Sequence, residues 1–177
     1  MKVGIIFGTR PEAIKIAPVY KELKNNNIEV KAIVTGQHQE MLYQVLDLFK
    51  ITPDYDLKIM KNGQTLSELT GKLVQQLDII LKKEKFDYIL VQGDTTSAFT
   101  GALVAFYNQI PIGHIEAGLR TGNIYSPFPE EANRKLIGTI TDIHFAPTER
   151  NVDNLLRENY PKEKILKVGN TVIDALL

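Results

Sequence analysis

Short apolar runs alternate with longer stretches of helical periodicity along most of the chain. The runs show no polar alternation, as in Tyr88–Gln92, which is typical of strands buried on both faces. Between them, apolar residues recur at helical spacing, most regularly across residues 65–83. Strands that alternate with helices predict a parallel sheet covered by helices on both faces. We therefore expect an α/β fold with a doubly wound parallel sheet.

The predicted elements follow one another in strict alternation. Residues 51–63 are the exception, because Pro53 and Gly63 disfavour regular structure there, and this stretch is expected to be irregular. Strands are expected at residues 3–7, 28–35, 88–92, 111–116, 142–146 and 164–168. Helices are expected at residues 11–24, 39–49, 65–83, 96–107, 130–140 and 149–158.

Length and composition indicate one domain with one substantial core. The 177 residues are 44% apolar and 24% charged, which is ordinary for a globular protein. We assign residues 1–168 to a Rossmann-like amino-terminal domain. Residues 169–177 look like the start of an inter-domain connection, because a helical pattern begins after Gly169 and stops at Leu177. We expect the sequence to end at a domain boundary, with a second domain absent from it.

Charge and cysteine content exclude several classes of protein. The 21 basic and 21 acidic residues give zero formal charge, which argues against a nucleic-acid or anionic-membrane partner. There is no cysteine, so disulfides and thiolate metal sites are excluded. No stretch approaches the roughly 18 uncharged apolar residues of a membrane-spanning helix. Residues 8–12 interrupt the opening apolar run before a signal peptide core can form, so we expect a cytoplasmic protein.

Two candidate phosphate-binding cations follow the first predicted strand. Ligands of open α/β sheets bind beyond the carboxyl ends of the strands. Arg10 precedes the first helix and Lys15 lies in its second turn, and helix amino-termini and arginine both favour phosphate. This turn lacks the glycine pattern of a dinucleotide site and the Gly-Lys-Ser/Thr of a P-loop. The alternative is that both cations are solvated surface residues.

Three candidate carboxylates occupy later junctions at the same predicted edge. Asp94 follows a strand, where its alternative role is a helix cap. Glu116 ends a strand, where a carboxylate needs a partner or a substrate. Glu130 opens a helix, where an ion pair with Arg134 is the alternative. Carboxylates held close together cannot all ionise easily, so we expect one to keep a proton and supply an acid beside a base.

Two further ionisable residues receive structural roles. His114 lies inside a predicted strand and is expected to be a core histidine with its hydrogen bonds satisfied. Glu131 is expected to suit the positive end of a helix dipole. No cluster of His, Asp and Glu has the spacing of metal ligands.

Five motifs together resemble one known family in order and along essentially the whole chain. The family is the non-hydrolysing UDP-N-acetylglucosamine 2-epimerases, and the motifs span residues 7–15, 93–96, 114–121, 129–134 and 169–174. The resemblance implies the amino-terminal half of a GT-B two-domain fold. It also implies interconversion of UDP-N-acetylglucosamine (UDP-GlcNAc) and UDP-N-acetylmannosamine (UDP-ManNAc) by elimination and re-addition of UDP through 2-acetamidoglucal. The family needs no metal or nicotinamide cofactor.

The resemblance also assigns roles to the candidate residues. It implies that carboxylates remove and return the proton at C2 of the sugar, and that cations hold phosphate or stabilise the leaving group. The segment from His38 to Gln44 corresponds to a second, regulatory UDP-sugar site of bacterial members. Because the family's second domain is absent, we expect this chain alone to turn over little or no substrate, and the full-length protein to be a homodimer. The carboxylates are Asp94, Glu116 and Glu130, and the cations are Arg10, Lys15 and Arg134.

Three alternatives remain at this point. The first is a hydrolysing epimerase that releases free N-acetylmannosamine, although the Arg-Pro-Glu-Ala-Ile-Lys of residues 10–15 favours the non-hydrolysing branch. The second is a non-catalytic UDP-sugar-binding module. The third is half of a GT-B glycosyltransferase, which fold analogy alone does not exclude.

Overall fold

A seven-stranded parallel sheet forms the centre of the protein. The computed structural model describes residues 1–36, 39–59, 61 and 63–176, without the side chains of residues 39 and 40. Within these residues the strand order is β3-β2-β1-β4-β5-β6-β7, and each neighbouring pair is parallel. The strands are β1 (Lys2–Phe7), β2 (Glu29–Val34), β3 (Tyr55–Asp56), β4 (Tyr88–Gln92), β5 (Ile112–Ile115), β6 (Ile143–Ala146) and β7 (Ile165–Lys167).

Helices connect the strands and cover both faces of the sheet. Threonine hydroxyls at positions 9, 65, 95 and 148 accept hydrogen bonds from backbone N–H groups and so cap four of these helices. A short 3-10 helix, Lys162–Lys164, precedes β7. The α-helices are α1 (Arg10–Asn25), α2 (Gln39–Leu48), α3 (Leu66–Glu84), α4 (Thr96–Tyr107), α5 (Glu130–Ile140), α6 (Glu149–Arg157) and α7 (Thr171–Leu176). The doubly wound α/β fold expected from the sequence is confirmed.

One predicted irregular segment contains an additional strand. Residues 51–63 include β3, which pairs with Ile33 and Val34 at the end of β2. Tyr55–Asp56 is only two residues long and carries no apolar run, so the strand is defined by its partner and not by its own sequence. The other predicted elements are present, with ends that differ by no more than a few residues.

The core consists of two large layers on opposite faces of the sheet and a smaller cluster around β6, β7 and α6. Neighbouring residues of β1 point to opposite layers, because side chains alternate along a strand. Ile6 packs in the layer that contains α3 and α4, while Ile5 and Phe7 pack in the layer that contains α1 and α2. A Cβ on Gly101 of α4 would lie 3.1 Å from the Ile6 side chain, so this glycine allows close helix–sheet packing.

The direction of strand addition reverses between β1 and β4. From β1 the sheet grows through β2 to β3 on one side, and from β4 it grows through β7 on the other. The carboxyl ends of β1 and β4 therefore flank the crevice where open α/β sheets bind ligands. Arg10 follows β1 and Asp94 follows β4, so two predicted site residues lie at this reversal.

The segment that we assigned to an inter-domain connection contains α7. This helix packs against α1, and its residue Val172 lines the same crevice. Among the helices that the structure describes, none is long and apolar enough to cross a membrane.

Candidate functional site

A cleft of about 800 Å³ lies at the carboxyl ends of β1, β4 and β5. Its walls come from the β1–α1 turn, the β4–α4 turn and the residue after β5, with Met41 of α2 and Leu119 at the rim. The structure brings four predicted site residues around this one cleft. They are Arg10, Lys15, Asp94 and Glu116.

Glu116 is held at the wall of the cleft by two neighbouring side chains. Lys15 Nζ lies 2.6 Å from Glu116 Oε1 and 2.7 Å from Oε2, and Gln92 Nε2 also donates to Oε2. The side chains of Lys15 and Glu116 are each 22% exposed. The expectation that Glu116 has a partner is confirmed, and the surface alternative for Lys15 is wrong because Lys15 is that partner.

The backbone at Glu116 adopts a conformation that non-glycine residues rarely occupy. Its φ angle is 65°, in the left-handed region. Such a conformation costs of the order of 1–3 kcal/mol and concentrates at functional sites. The turn aims the carboxylate into the cleft beside Lys15, so the strain supports a functional role for this side chain.

Asp94 is fixed by helix α5. Arg134 Nε donates to Asp94 Oδ2 at 2.8 Å and Asn133 Nδ2 donates to the Asp94 carbonyl oxygen at 2.8 Å. The cap of α4 is Thr95, whose hydroxyl accepts from the Ala98 N–H at 3.0 Å. The helix-cap alternative for Asp94 is therefore wrong, because the residue after it caps the helix and leaves its carboxylate to the cleft.

Arg134 is 7% exposed and lies between two carboxylates. Its Nη2 also donates to Asp94, and its Nη1 donates to Glu131 Oε2 at 2.9 Å. The expected alternative, an ion pair with Glu130, is wrong because the guanidinium turns inward to Asp94 and Glu131. Contact of Arg134 with phosphate stays a prediction. The hydrogen bonds that the structure shows indicate instead that Arg134 orients the Asp94 carboxylate.

Glu131 is a buried anchor that the sequence analysis did not recognise. Its side chain is 0% exposed, and Oε1 accepts from the Thr121 N–H at 3.1 Å and the Gly122 N–H at 3.2 Å. Burial acts to raise the pKa of Glu131, but the hydrogen bonds from Arg134, Thr121 and Gly122 outweigh it and lower the pKa. Glu131 does more than interact with the helix dipole, because its hydrogen bonds connect α5 to the loop after β5.

Glu130 lies in a smaller pocket that adjoins the cleft. This pocket of about 160 Å³ shares Thr9, Asp94 and Thr95 with the main cleft. Glu130 Oε2 is buried without a hydrogen-bond partner among the described residues. The third predicted carboxylate therefore lines a pocket together with Asp94, and not the cleft that Arg10 and Lys15 line.

The structure supports the predicted role of Arg10 more than it supports the predicted regulatory site on α2. Arg10 is exposed at the first position of α1 and makes no ion pair within the described part of the chain, so its charge is available to an anion. Gln44 is exposed on α2, and Met41 rather than Gln44 reaches the cleft. His38 lies outside the described residues. The predicted regulatory site therefore stays a prediction.

Glu12 is a second buried carboxylate that the sequence analysis did not single out. It is 2% exposed, and Oε2 accepts from the Gly8 N–H at 3.0 Å and the Thr9 N–H at 2.7 Å. Oε1 accepts from the Thr95 hydroxyl at 2.7 Å. Burial raises the pKa of Glu12, opposed by these hydrogen bonds. The Thr-x-x-Glu spacing of a capping box was visible in the sequence, but the contact with Thr95 was not.

His114 supports the turn that carries Asp94. It is 1% exposed, and its Nε2 lies 2.7 Å from the Gly93 carbonyl oxygen. Burial lowers the pKa of His114 to about 4, so the ring is neutral at pH 7 and donates from Nε2. The prediction that His114 lies in the core is confirmed, but the expectation that its hydrogen bonds are satisfied is wrong for Nδ1, which has no partner among the described residues.

This arrangement can move protons beside a bound anion. Two carboxylates from different strands face one cleft, and each is paired with a cation that fixes its position. Arg10, at the first position of α1, supplies positive charge for a phosphate group. Among the described residues, no group of three or more His, Asp or Glu side chains is placed to hold a metal ion.

Comparison with known proteins gives one consistent family. The sequence profile described as UDP-N-acetylglucosamine 2-epimerase matches residues 21–177. The chain is 57% identical over 178 aligned residues to the UDP-N-acetylglucosamine 2-epimerase of Neisseria meningitidis serogroup A, covering 100% of the chain and 48% of that protein. It is 58% identical to the enzyme of the same name from Salmonella typhimurium, covering 100% of the chain and 47% of that protein.

A solved structure agrees with these sequence matches. The crystal structure of UDP-GlcNAc 2-epimerase from Neisseria meningitidis, bound to UDP-GlcNAc, superposes with a TM-score of 0.96 at 56% identity. The match covers 99% of this chain and 48% of that chain. The chain thus spans about half the length of the curated relatives it matches, and corresponds to their amino-terminal half.

Proposed function

Because the chain belongs to the UDP-N-acetylglucosamine 2-epimerase family, we propose that the protein carrying it interconverts UDP-GlcNAc and UDP-ManNAc. The observation that carries this proposal is the shared cleft at the reversal of the sheet. Arg10 and Lys15 come from the turn after β1, and Asp94 and Glu116 come from the ends of β4 and β5. A diphosphate and a sugar C2 can therefore be bound next to each other.

The chemistry that fits this cleft is elimination followed by re-addition. A carboxylate takes the proton from C2 while the bond between C1 and the UDP oxygen breaks, which leaves 2-acetamidoglucal and UDP. A proton then returns to the opposite face of C2 and the UDP oxygen bonds to C1 again. Proton removal and return by positioned carboxylates is general acid–base catalysis, which contributes about 100- to 10,000-fold. Asp94, Glu116 and Glu130 are the groups that we propose for these transfers.

The cations complement the charge that develops on the leaving group. Departure of UDP places negative charge on the diphosphate, and fixed positive groups stabilise this charge more in the transition state than in the bound substrate. The Arg10 side chain, which makes no ion pair within the described part of the chain, is available for this contact. Lys15 and Arg134 hold Glu116 and Asp94, and Lys15 also faces the cleft where the diphosphate would bind.

The direct test is the product formed by the complete natural polypeptide that contains this sequence. Incubated with UDP-GlcNAc, it should give UDP-ManNAc detectable by proton NMR, and Glu116→Gln and Asp94→Asn should each slow this strongly. Free N-acetylmannosamine with UDP would indicate hydrolysis instead, and absence of both products would contradict the proposal. The 177-residue chain alone should turn over little or no substrate, and robust turnover would refute that part.

We also propose that the full-length protein is a homodimer, as the family resemblance implies, and that it is cytoplasmic. Light scattering after size-exclusion chromatography measures the oligomeric state, and a monomeric mass at micromolar concentration would contradict this proposal.

A further inference from the structure

We propose that Glu12 is a positioning residue that sets the distance between the Arg10-bearing turn and the Asp94-bearing turn. The role rests on the proposed function, because it concerns residues that would bind and transform the UDP-sugar. Glu12 itself lies at the wall of the cleft, but its oxygens are directed to the protein.

The hydrogen bonds of Glu12 connect two strand-to-helix junctions that are distant in sequence. Oε2 accepts from the backbone of Gly8 and Thr9 in the β1–α1 turn. Oε1 accepts from the hydroxyl of Thr95, the residue after Asp94 in the β4–α4 turn. A single carboxylate thereby links both sides of the switch point of the sheet.

A second capping box in the same chain shows that helix capping does not require this link. Thr65 and Glu68 begin α3 with the same spacing and the same reciprocal hydrogen bonds, at 2.9 Å and 3.2 Å. Glu68 is exposed, and the hydrogen bonds from Thr65 lower its pKa. Glu12 is buried and has a third partner, Thr95, in the turn that precedes another helix, so its environment goes beyond what a cap needs.

The position of Thr95 extends the effect to the catalytic side chains. Its hydroxyl donates to Glu12 and accepts from the Ala98 N–H, which fixes the first turn of α4. Thr9, on the other side, caps α1 immediately before Arg10. Loss of the Glu12 bridge would let the two helix amino-termini move independently, and so would move Arg10 relative to Asp94.

The experiment compares Glu12→Gln with the matched control Glu68→Gln in the complete natural polypeptide. Glutamine has one acceptor oxygen where Glu12 uses two, so at least one of its three hydrogen bonds must be lost or reversed. A misplacement of about 1 Å can cost about 100-fold in rate, so a smaller shift should lower kcat about 10-fold. KM should change less than about 3-fold, because the contacts within each turn remain. Glu68→Gln should leave both constants unchanged.

Thr95 variants test the same bridge from its other end. Thr95→Ser keeps the hydroxyl and should retain kcat, whereas Thr95→Val should lower it about 10-fold or more. The double variant Glu12→Gln with Thr95→Val should lose clearly less than the product of the two single losses, since both changes break the same bridge. Multiplicative losses, or a Glu12→Gln protein with unchanged kcat, would overturn the proposal.

Amide NMR separates this inference from the proposed function. If the unaltered polypeptide makes no UDP-ManNAc, the proposed function fails, and the spectrum still tests the bridge. Glu12→Gln should shift the amide signals of residues 94–98 as well as those of Gly8 and Thr9, and Glu68→Gln should not. A Glu12→Gln spectrum with unchanged signals at 94–98 would overturn the bridge itself.

Discussion

Two lysine–glutamate pairs of similar exposure lie at opposite ends of the sheet. At the amino end, Lys2 of β1 pairs with Glu84 at the end of α3, with side chains 21% and 13% exposed. At the carboxyl end, Lys15 of α1 pairs with Glu116, with both side chains 22% exposed. Each pair joins segments more than 80 residues apart. By distance and burial alone the two interactions are nearly equivalent.

Their surroundings differ in what remains open to a ligand. The oxygens of both carboxylates have hydrogen-bond partners, which are Lys2 and the Tyr55 hydroxyl for Glu84 and Lys15 and Gln92 for Glu116. Glu84 ends a regular helix and does not line the cleft. Glu116 instead has a φ angle of 65° and lines the cleft. The amino-end pair joins two elements of the fold, whereas the carboxyl-end pair places a carboxylate at the wall of the cleft. Position on the sheet and backbone strain, and not the ion pair itself, are therefore the grounds on which we propose a functional role for the carboxyl-end pair and a structural role for the amino-end pair.

The largest expected difference is in turnover. Glu116→Gln should lower kcat about 1000-fold, because an amide cannot exchange a proton with C2 as a carboxylate can. Glu84→Gln should leave kcat within about 2-fold, since the amino end is remote from the cleft. Steady-state assays of UDP-ManNAc formation check both variants. Comparable losses in the two variants would remove the distinction between the ends.

The next largest effect is the pH dependence of unfolding, which separates the buried histidines of β5 and β6 from the amino-end pair. Burial lowers the pKa of His114 and His144 to about 4, so the unfolded chain binds more protons than the folded one between about pH 6.5 and pH 4. Stability should therefore fall as pH drops through this window, by up to about 3 kcal/mol per histidine at pH 4. At the amino end, the hydrogen bonds from Lys2 and Tyr55 lower the pKa of Glu84, so its contribution is lost only as pH falls below about 4.5.

Urea unfolding at a series of pH values measures these contributions. His144→Phe should flatten the loss between pH 6.5 and pH 4, and Glu84→Gln should flatten it only below about pH 4.5. His144→Phe is suitable because the histidine ring packs at a tilt against Tyr160 and its ring nitrogens have no partners within the described residues. An unchanged slope in His144→Phe above pH 4.5 would show that this histidine is not held neutral.

Much of the site was visible in the sequence because parallel strands bring their carboxyl ends to one edge. That rule places Arg10, Lys15, Asp94 and Glu116 together without knowledge of any side-chain contact. The partners could not be predicted in the same way. Arg134 was expected to pair locally with Glu130, but it pairs with Asp94, which is 40 residues away.

Buried carboxylates and the short strand were missed for a related reason. Glu12 and Glu131 have the sequence positions of ordinary helix-start residues, and tertiary packing alone makes them buried anchors. Strand β3 has two residues and no hydrophobic pattern, so its existence depends on the free edge of β2. The local sequence thus predicted the helices and strands and the edge of the sheet at which the site lies. Which charged side chains are held by hydrogen bonds depends on contacts between elements, which the local sequence does not show.

Glycine substitutions should affect the stability of the two ends differently. Glu84→Gly should lower the free energy of unfolding by about 2 kcal/mol, because it removes hydrogen bonds to a charged group. Glu116→Gly should change it by less than about 1 kcal/mol, since relief of the left-handed strain offsets the lost ion pair. Denaturant unfolding of both variants measures the difference. A larger loss in Glu116→Gly would mean that the carboxyl-end pair is itself mainly structural.

The smallest expected effect concerns the hydroxyl at the amino end. Tyr55→Phe removes the hydrogen bond to Glu84 and should lower stability by about 1 kcal/mol, because Lys2 still neutralises the carboxylate. Turnover should be unchanged. Thermal unfolding and the epimerase assay together check this result, and a drop in turnover without a loss of stability would contradict it.

Exchange of the sugar C2 proton with solvent tests the central claim most directly. The complete natural polypeptide is incubated with UDP-GlcNAc in deuterium oxide, and deuterium at C2 is followed by NMR. If carboxylates of the cleft remove and return this proton, deuterium should appear at C2 of both UDP-sugars. Incorporation should be strongly reduced in Glu116→Gln and unchanged in Glu84→Gln. UDP-ManNAc that forms without deuterium at C2, or incorporation that is equal in both variants, would contradict the account.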